Sequence, residues 1–190
     1  PRNGPGDPRA AMLLAATGDL DGAGQEVERL EAAAERPLNS VRATIAFWWE
    51  DPRDALRKLP ALLKDEDPQS AACYLQILQG IVARNGAPTR GLPAACDRSI
   101  DPVWRLRALG RVGDVDAVFA GLDGQRQANG GTIMLFYPEM RSVRADPRFW
   151  PLARDLGLID YWTKSGHWPD FCAVSYTHHR AHETREDLVC

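Results

Sequence analysis

Three of the four histidines fall in the last stretch of the chain, where His178 and His182 stand four residues apart and Glu183 follows. On a helix that spacing sets two imidazoles on one face, the geometry of a shared metal with a carboxylate base nearby. The segment does not support that chemistry. The metalloprotease pattern needs Glu directly after the first His, where His179 stands, and no apolar positions recur to hold a helix against a core. Gly130-Gly131 lacks the Gly-Lys-Ser/Thr and the preceding apolar strand of a phosphate loop, and reads as a linker. Asp65-Glu66-Asp67 lacks the alternating ligand spacing of a calcium loop and reads as a loop with a cap before Pro68. His167 stands alone beside Gly166 and reads as a surface or structural residue. Cys73, Cys96 and Cys172 show no C-x-x-C spacing and read as free thiols packed as small hydrophobes, which points to a reducing, cytoplasmic compartment. Arg141, Arg144, Arg148 and Arg154 lie at helical spacings and could clamp a carboxylate, but a solvated face is the simpler expectation. No catalytic, cofactor-binding or metal-ligating residue is assigned.

The elements that would position these residues belong to a globular chain of 190 residues, 44% of them apolar. With 23 basic against 26 acidic residues and a net charge of −3, no broad cationic face is available for a nucleic-acid backbone or an anionic membrane. No apolar run approaches the ~20 residues that cross a bilayer. From Val174 the composition turns polar and loses its helical stripe. Residues 174–184 resemble the conceptual translation of a transposon-type sequencing-library adapter, Val-Ser-Tyr-Thr-His-Leu-Arg-Ala-His-Glu-Thr, with His179 the one departure, and Leu188-Val189-Cys190 match that adapter's constant end. Residues 174–190 are therefore expected to be a non-native, disordered tail. Residues 1–9, which lack an initiator Met, read as the flexible start of a piece of a longer protein, one that could be tethered through its missing N-terminal part.

Between those ends, helix–turn–helix units recur. Their turns are Thr17-Gly18-Asp19-Leu20-Asp21-Gly22-Ala23, Trp49-Glu50-Asp51-Pro52-Arg53-Asp54-Ala55 and Val112-Gly113-Asp114-Val115-Asp116-Ala117-Val118. The first two begin 32 residues apart and the second and third 63 apart, with an intervening unit turning at Asn85-Gly86-Ala87-Pro88. Each turn is followed by a helical stripe such as Ala23, Val27 and Leu30, or Ala55, Leu59, Leu62 and Leu63. Gly supplies the left-handed stop, Asp caps the next helix, and Ala23 and Ala55 let paired helices approach. Asp67-Pro68 reads as a cap followed by a first helical residue. Asp123-Gly124 and Asn129-Gly130-Gly131 read as a loop.

A two-helix period near ~34 residues is the tetratricopeptide signature, and residues 10–130 resemble that family. The resemblance implies an all-α solenoid of three to four degenerate units whose first helices line a groove for a protein or peptide. The departures are Val118 in place of a small residue, Pro60 inside a helix, and the missing consensus aromatics.

Residues 131–173 read as capping helices. Pro138 opens a short helix, Asp146-Pro147 caps and starts another, Gly157 stops it, and Leu158–Ser165 form a last helix ended by Gly166. Phe149, Trp150, Tyr161, Trp162, Trp168 and Phe171 are numerous enough to form a cap of the kind that terminal repeats need, or an aromatic cage for a ligand. The string from Asp146-Pro147-Arg148-Phe149 to Trp168-Pro169-Asp170-Phe171-Cys172 is similar to the end of the tetratricopeptide arrays of bacterial regulatory proteins, which are joined to a winged-helix regulator or to a class III adenylate/guanylate cyclase. That resemblance implies a non-enzymatic interaction or sensor segment. The alternative is a regulatory array serving a cyclase, and a small-molecule enzyme built on the aromatic segment is the remote third reading.

Overall fold

A computed structural model describes residues 7–96, 101–125 and 131–172. Among the described residues there are ten α-helices and no strand, as an all-α reading requires. The readings on the tail from Val174, with its histidines, lie outside the described residues.

Aspartate punctuation sets the helices. Helix α1 (Arg9–Ala16) ends at a turn where Gly18 takes φ +94°, and α2 (Leu20–Ala34) starts on Asp19, whose carboxylate accepts the Gly22 N–H at 2.8 Å. Helices α3 (Asn39–Trp49) and α4 (Pro52–Leu62) are joined through Asp51, which accepts from Arg53 N at 2.9 Å. Helix α5 (Pro68–Ala83) starts on Asp67, which accepts from Ser70 N at 2.8 Å. Helix α6 (Pro102–Val112) starts on Asp101, which accepts from Val103 N and Trp104 N, and a turn at Gly113 leads to α7 (Val115–Gln125), where Asp114 accepts from Ala117 N at 3.2 Å. Proline follows the capping Asp in α4, α5 and α6, filling a position whose N–H has no helical partner.

Two apolar clusters follow each other along the chain. Ala11, Ala15, Ala23, Val27, Val41 and Ile45 join α1, α2 and α3. Phe47, Trp48, Leu59, Ile77, Leu78, Ala108 and Val112 join α3, α4, α5 and α6, and Trp49 packs against both clusters. Ala23 and Ala55 are completely buried at the helix pairs they were expected to tighten. In the third pair Val118 is buried instead, and the close approach has moved to Gly121, where any Cβ would collide with Leu106 Cδ2.

The unit expected to turn at Asn85-Gly86 has no second helix among the described residues. Asn85 and Gly86 both take positive φ, and the chain then runs irregularly to a 3-10 turn, Ala94–Cys96. Pro88 and Pro93 withhold the N–H groups that a helix would need. The segment is held instead by Thr89 N donating to Val112 O at 3.0 Å and by Gly91 N donating to Asp114 Oδ2 at 2.6 Å.

Three further expectations are corrected. Cys73 and Cys96 are not free thiols: they form a disulfide that ties α5 to the 3-10 turn, and Cys172 is also disulfide-bonded. Folding brings the two sulfurs together across 23 residues, a proximity that spacing rules do not register. The cytoplasmic placement rested on free thiols and loses that support, because disulfides persist in oxidising surroundings. Asp123-Gly124 lie inside α7 rather than in a loop. The helix expected to start at Pro147 starts instead at Phe149, with Arg148 before it.

The chain divides into two compact units, Pro1–Asp146 and Pro147–Cys190. The first also holds the 3-10 turns Gly131–Phe136 and Pro138–Met140 and the short helix α8 (Arg141–Arg144), so Pro138 does open a helical segment. The second contains α9 (Phe149–Asp155) and α10 (Leu158–Ser165), with Gly157 and Gly166 both left-handed at the expected stops. Its rings pack on one another: Phe149 lies 5.3 Å from Trp150 and 6.0 Å from Phe171, and Trp162 lies 5.8 Å from Trp168. Tyr161 stands apart at 62% exposure.

Candidate functional site

Among the described residues, the histidine and acidic candidates singled out in the sequence do not converge. His167 is exposed, its ring Nδ1 within 2.8 Å of the Ser165 carbonyl in the same loop. Among the described residues no group of His, Cys, Asp and Glu could hold a metal ion. Asp65 and Glu66 are exposed, and Asp67 is a helix cap. Arg141, Arg148 and Arg154 lie on the surface. Arg144 departs from that face, turning inward so that its Nη1 donates to Leu135 O at 2.5 Å and Tyr137 O at 2.8 Å.

The polar chemistry lies in the first unit, around two arginines that sequence reasoning passed over. Arg107 and Arg111 stand one turn apart on α6, on the side that meets the end of α3. Arg107 is 14% exposed, and its guanidinium lies 4.0 Å from the Trp48 ring and 4.2 Å from the Tyr137 ring. Its Nε donates to Glu139 Oε1 at 2.5 Å, the Glu139 side chain being fully buried. Arg111 donates from Nη1 to the Trp48 carbonyl at 2.8 Å and lies 5.5 Å from the Phe47 ring. Gly110 lets the Pro138–Met140 turn approach, since a Cβ there would stand 2.7 Å from Met140 Sδ and 3.1 Å from Glu139 O.

An aromatic nest fixes the end of α3. Phe47 stacks on Trp104 at 5.8 Å and meets Tyr74 edge-on at 4.6 Å. Burial raises the Tyr74 phenol above its ordinary value. Burial also lowers the Arg111 guanidinium to about 10, so it keeps its charge at neutral pH. Trp49 Nε1, Arg107 Nη2, Arg111 Nε and Nη2, and Glu139 Oε2 are shut off from solvent and have no hydrogen-bond partner among the described residues. Such groups are costly in a packed interior.

A second feature, a shallow apolar groove of about 300 Å³ between α6 and α7, is lined by Leu106, Leu109, Ala117 and Gly121. It offers shape but little chemistry.

The fold and these features define a class only: an all-α, multi-helix protein with a buried arginine–aromatic cluster. Comparison with family models, with curated proteins and with solved structures returns no match. No described helix is long and apolar enough to cross a membrane.

Proposed function

We propose that the chain is a protein-interaction segment of a larger bacterial regulatory protein, a degenerate tetratricopeptide-type array of helical hairpins that takes up a protein or peptide. The observation that carries this reading is serial packing. The pairs α1–α2, α3–α4 and α6–α7 each close on an Asp-capped turn with a small residue at the pair, and the two apolar clusters of α1–α6 are linked through Trp49. In repeat arrays each unit buries its apolar face on its neighbour, which leaves the outer helix surfaces available for recognition. Leu13, 64% exposed on α1, is an apolar side chain on such a surface.

Site-specific photocrosslinking tests the reading. A benzophenone side chain at Leu13 is expected to give a discrete protein adduct that excess unlabelled chain suppresses, while the same group at Glu28 on the outer side of α2 gives none. Equal labelling from both positions, or no competable adduct, would count against an interaction role.

A further inference from the structure

On the repeat-array reading, which this proposal rests on, the hairpins lack one helix among the described residues. In the pair α3–α4 the second helix packs on the helix that follows it, α5. The described residues between α5 and α6 contain no α-helix that could do the same for α6. The chain leaving α5 instead reaches the α6–α7 turn, where Thr89 N donates to Val112 O and Gly91 N to Asp114 Oδ2, and then returns to α5, where Cys96 is bonded to Cys73. It meets the end of the seam between α6 and α7 without running along it. Gly91 lines the groove of about 300 Å³ at that end.

The groove has the complement of a helix. Leu106 and Leu109, on one face of α6, are buried and make an apolar floor. Ala117, Ala120 and Gly121 stand at i, i+3 and i+4 on α7 and make a wall low enough for a helix to come close. A small molecule is held by enclosure, which a shallow groove does not provide, whereas an amphipathic helix laid along a groove needs only shape and apolar area. Charge narrows the occupant further. The charged residue among those lining the groove is Arg105, exposed on its rim, so the matching helix carries a carboxylate at its edge.

We infer that the α6–α7 seam seats an amphipathic α-helix of a partner protein, with leucine-type side chains over Leu106 and Leu109 and a Glu or Asp beside Arg105, in the place that the array's own second helix leaves open.

The probe is a fluorescein-labelled peptide of about 16 residues, built on Ala with Leu at i, i+3, i+4 and i+7 and Glu beside that stripe, long enough to hold a helix. Titrated with the full chain, its anisotropy is expected to saturate with a Kd of about 10–100 µM, and the Leu106 and Leu109 methyl resonances to shift. The same peptide with Lys in place of Glu is expected to bind about tenfold more weakly, and Arg105→Glu to reverse that preference. Ala120→Arg puts a bulky side chain on the exposed rim and is expected to abolish binding of either peptide. Circular dichroism establishes that both variants keep their helices. If they do not, the Glu-to-Lys comparison and the methyl shifts, which need only the parent chain, decide the matter. The proposal is overturned by the absence of saturable binding, by unmoved Leu106 and Leu109 methyls, by equal affinity for the Lys peptide, or by undiminished binding of a peptide broken by a central Pro. It is also overturned by a concentration-dependent dimer of the parent that Ala120→Arg dissolves, which would make a second copy of the chain the occupant. Each of these leaves the Leu13 crosslink, made from α1, to decide the array reading by itself.

Discussion

Arg42 and Glu31 tie the start of α3 to the end of α2, and Glu31 also accepts the Leu38 N–H at 2.8 Å. Hydrogen bonding from Arg42, then from the Leu38 backbone, holds the Glu31 carboxyl at about 2, below its ordinary 4.5. The folded-state value is the lower one, so the stabilisation is complete above pH 4.5 and is lost as pH falls from there towards 2. The side chains keep 20% and 34% exposure, so solvent screens the pair and its contribution is about 1 kcal/mol. Glu31→Gln is expected to lower unfolding free energy by that amount at pH 7, with the difference from the parent shrinking to nothing near pH 2, as urea melts at a series of pH values will show. A constant difference across that range would mean that the ion pair is not its source. Nothing in the sequence marks this pair, because Glu31 and Arg42 are eleven residues apart across a turn. The Asp caps at 19, 51 and 67 were legible, since a cap depends on residues within one turn.

Among the elements, α4 carries an internal proline that the sequence announces. Pro60 lies inside the helix and is exposed, yet the helix continues past it, Leu63 N donating to Leu59 O at 2.8 Å. The ring removes a donor and crowds the preceding turn without filling any core position. Pro60→Ala is expected to raise stability by about 1–3 kcal/mol, read as a higher Tm with unchanged helix content. A drop in Tm would show that the proline serves the packing of α4. The opposite sign belongs to Gly113, which takes φ +79° with Pro88 Cβ only 3.1 Å from where its own Cβ would stand. Gly113→Ala is expected to cost about 1–2 kcal/mol by chemical denaturation, since strain and contact act together. Here too legibility follows range. The left-handed stop could be read from Gly-Asp, whereas the Pro88 contact arises only because the irregular segment lies against the turn between α6 and α7.

For the molecule as a whole, the Cys73–Cys96 bond is a covalent link between distant stretches that the local rules did not foresee. It fastens to α5 a segment whose described residues form no α-helix, where a regular repeat would have supplied apolar contacts instead. Closing a loop of this size is worth about 3 kcal/mol, chiefly by restricting the unfolded chain. The double variant Cys73→Ala/Cys96→Ala is expected to lose that amount, and reductant to lower the parent's Tm by more than the variant's, which keeps the disulfide at Cys172. Thiol labelling of the native protein gives the complementary check, with Cys73 and Cys96 expected to react only after reduction.

By itself the sequence determined the Asp-marked starts of α2, α4 and α5, the glycine stops, which faces are apolar, and that the fold is all-α, because caps, prolines, glycines and stripes act within one or two turns. Tertiary structure alone decided the rest. It paired Cys73 with Cys96, left the described residues between α5 and α6 without a second α-helix, and turned Arg107 and Arg111 inward against Trp48, Tyr137 and Glu139. The physical reason is that a buried charge is specified by neighbours drawn from three separate segments, and only their assembly gives a surface arginine and a buried one different surroundings.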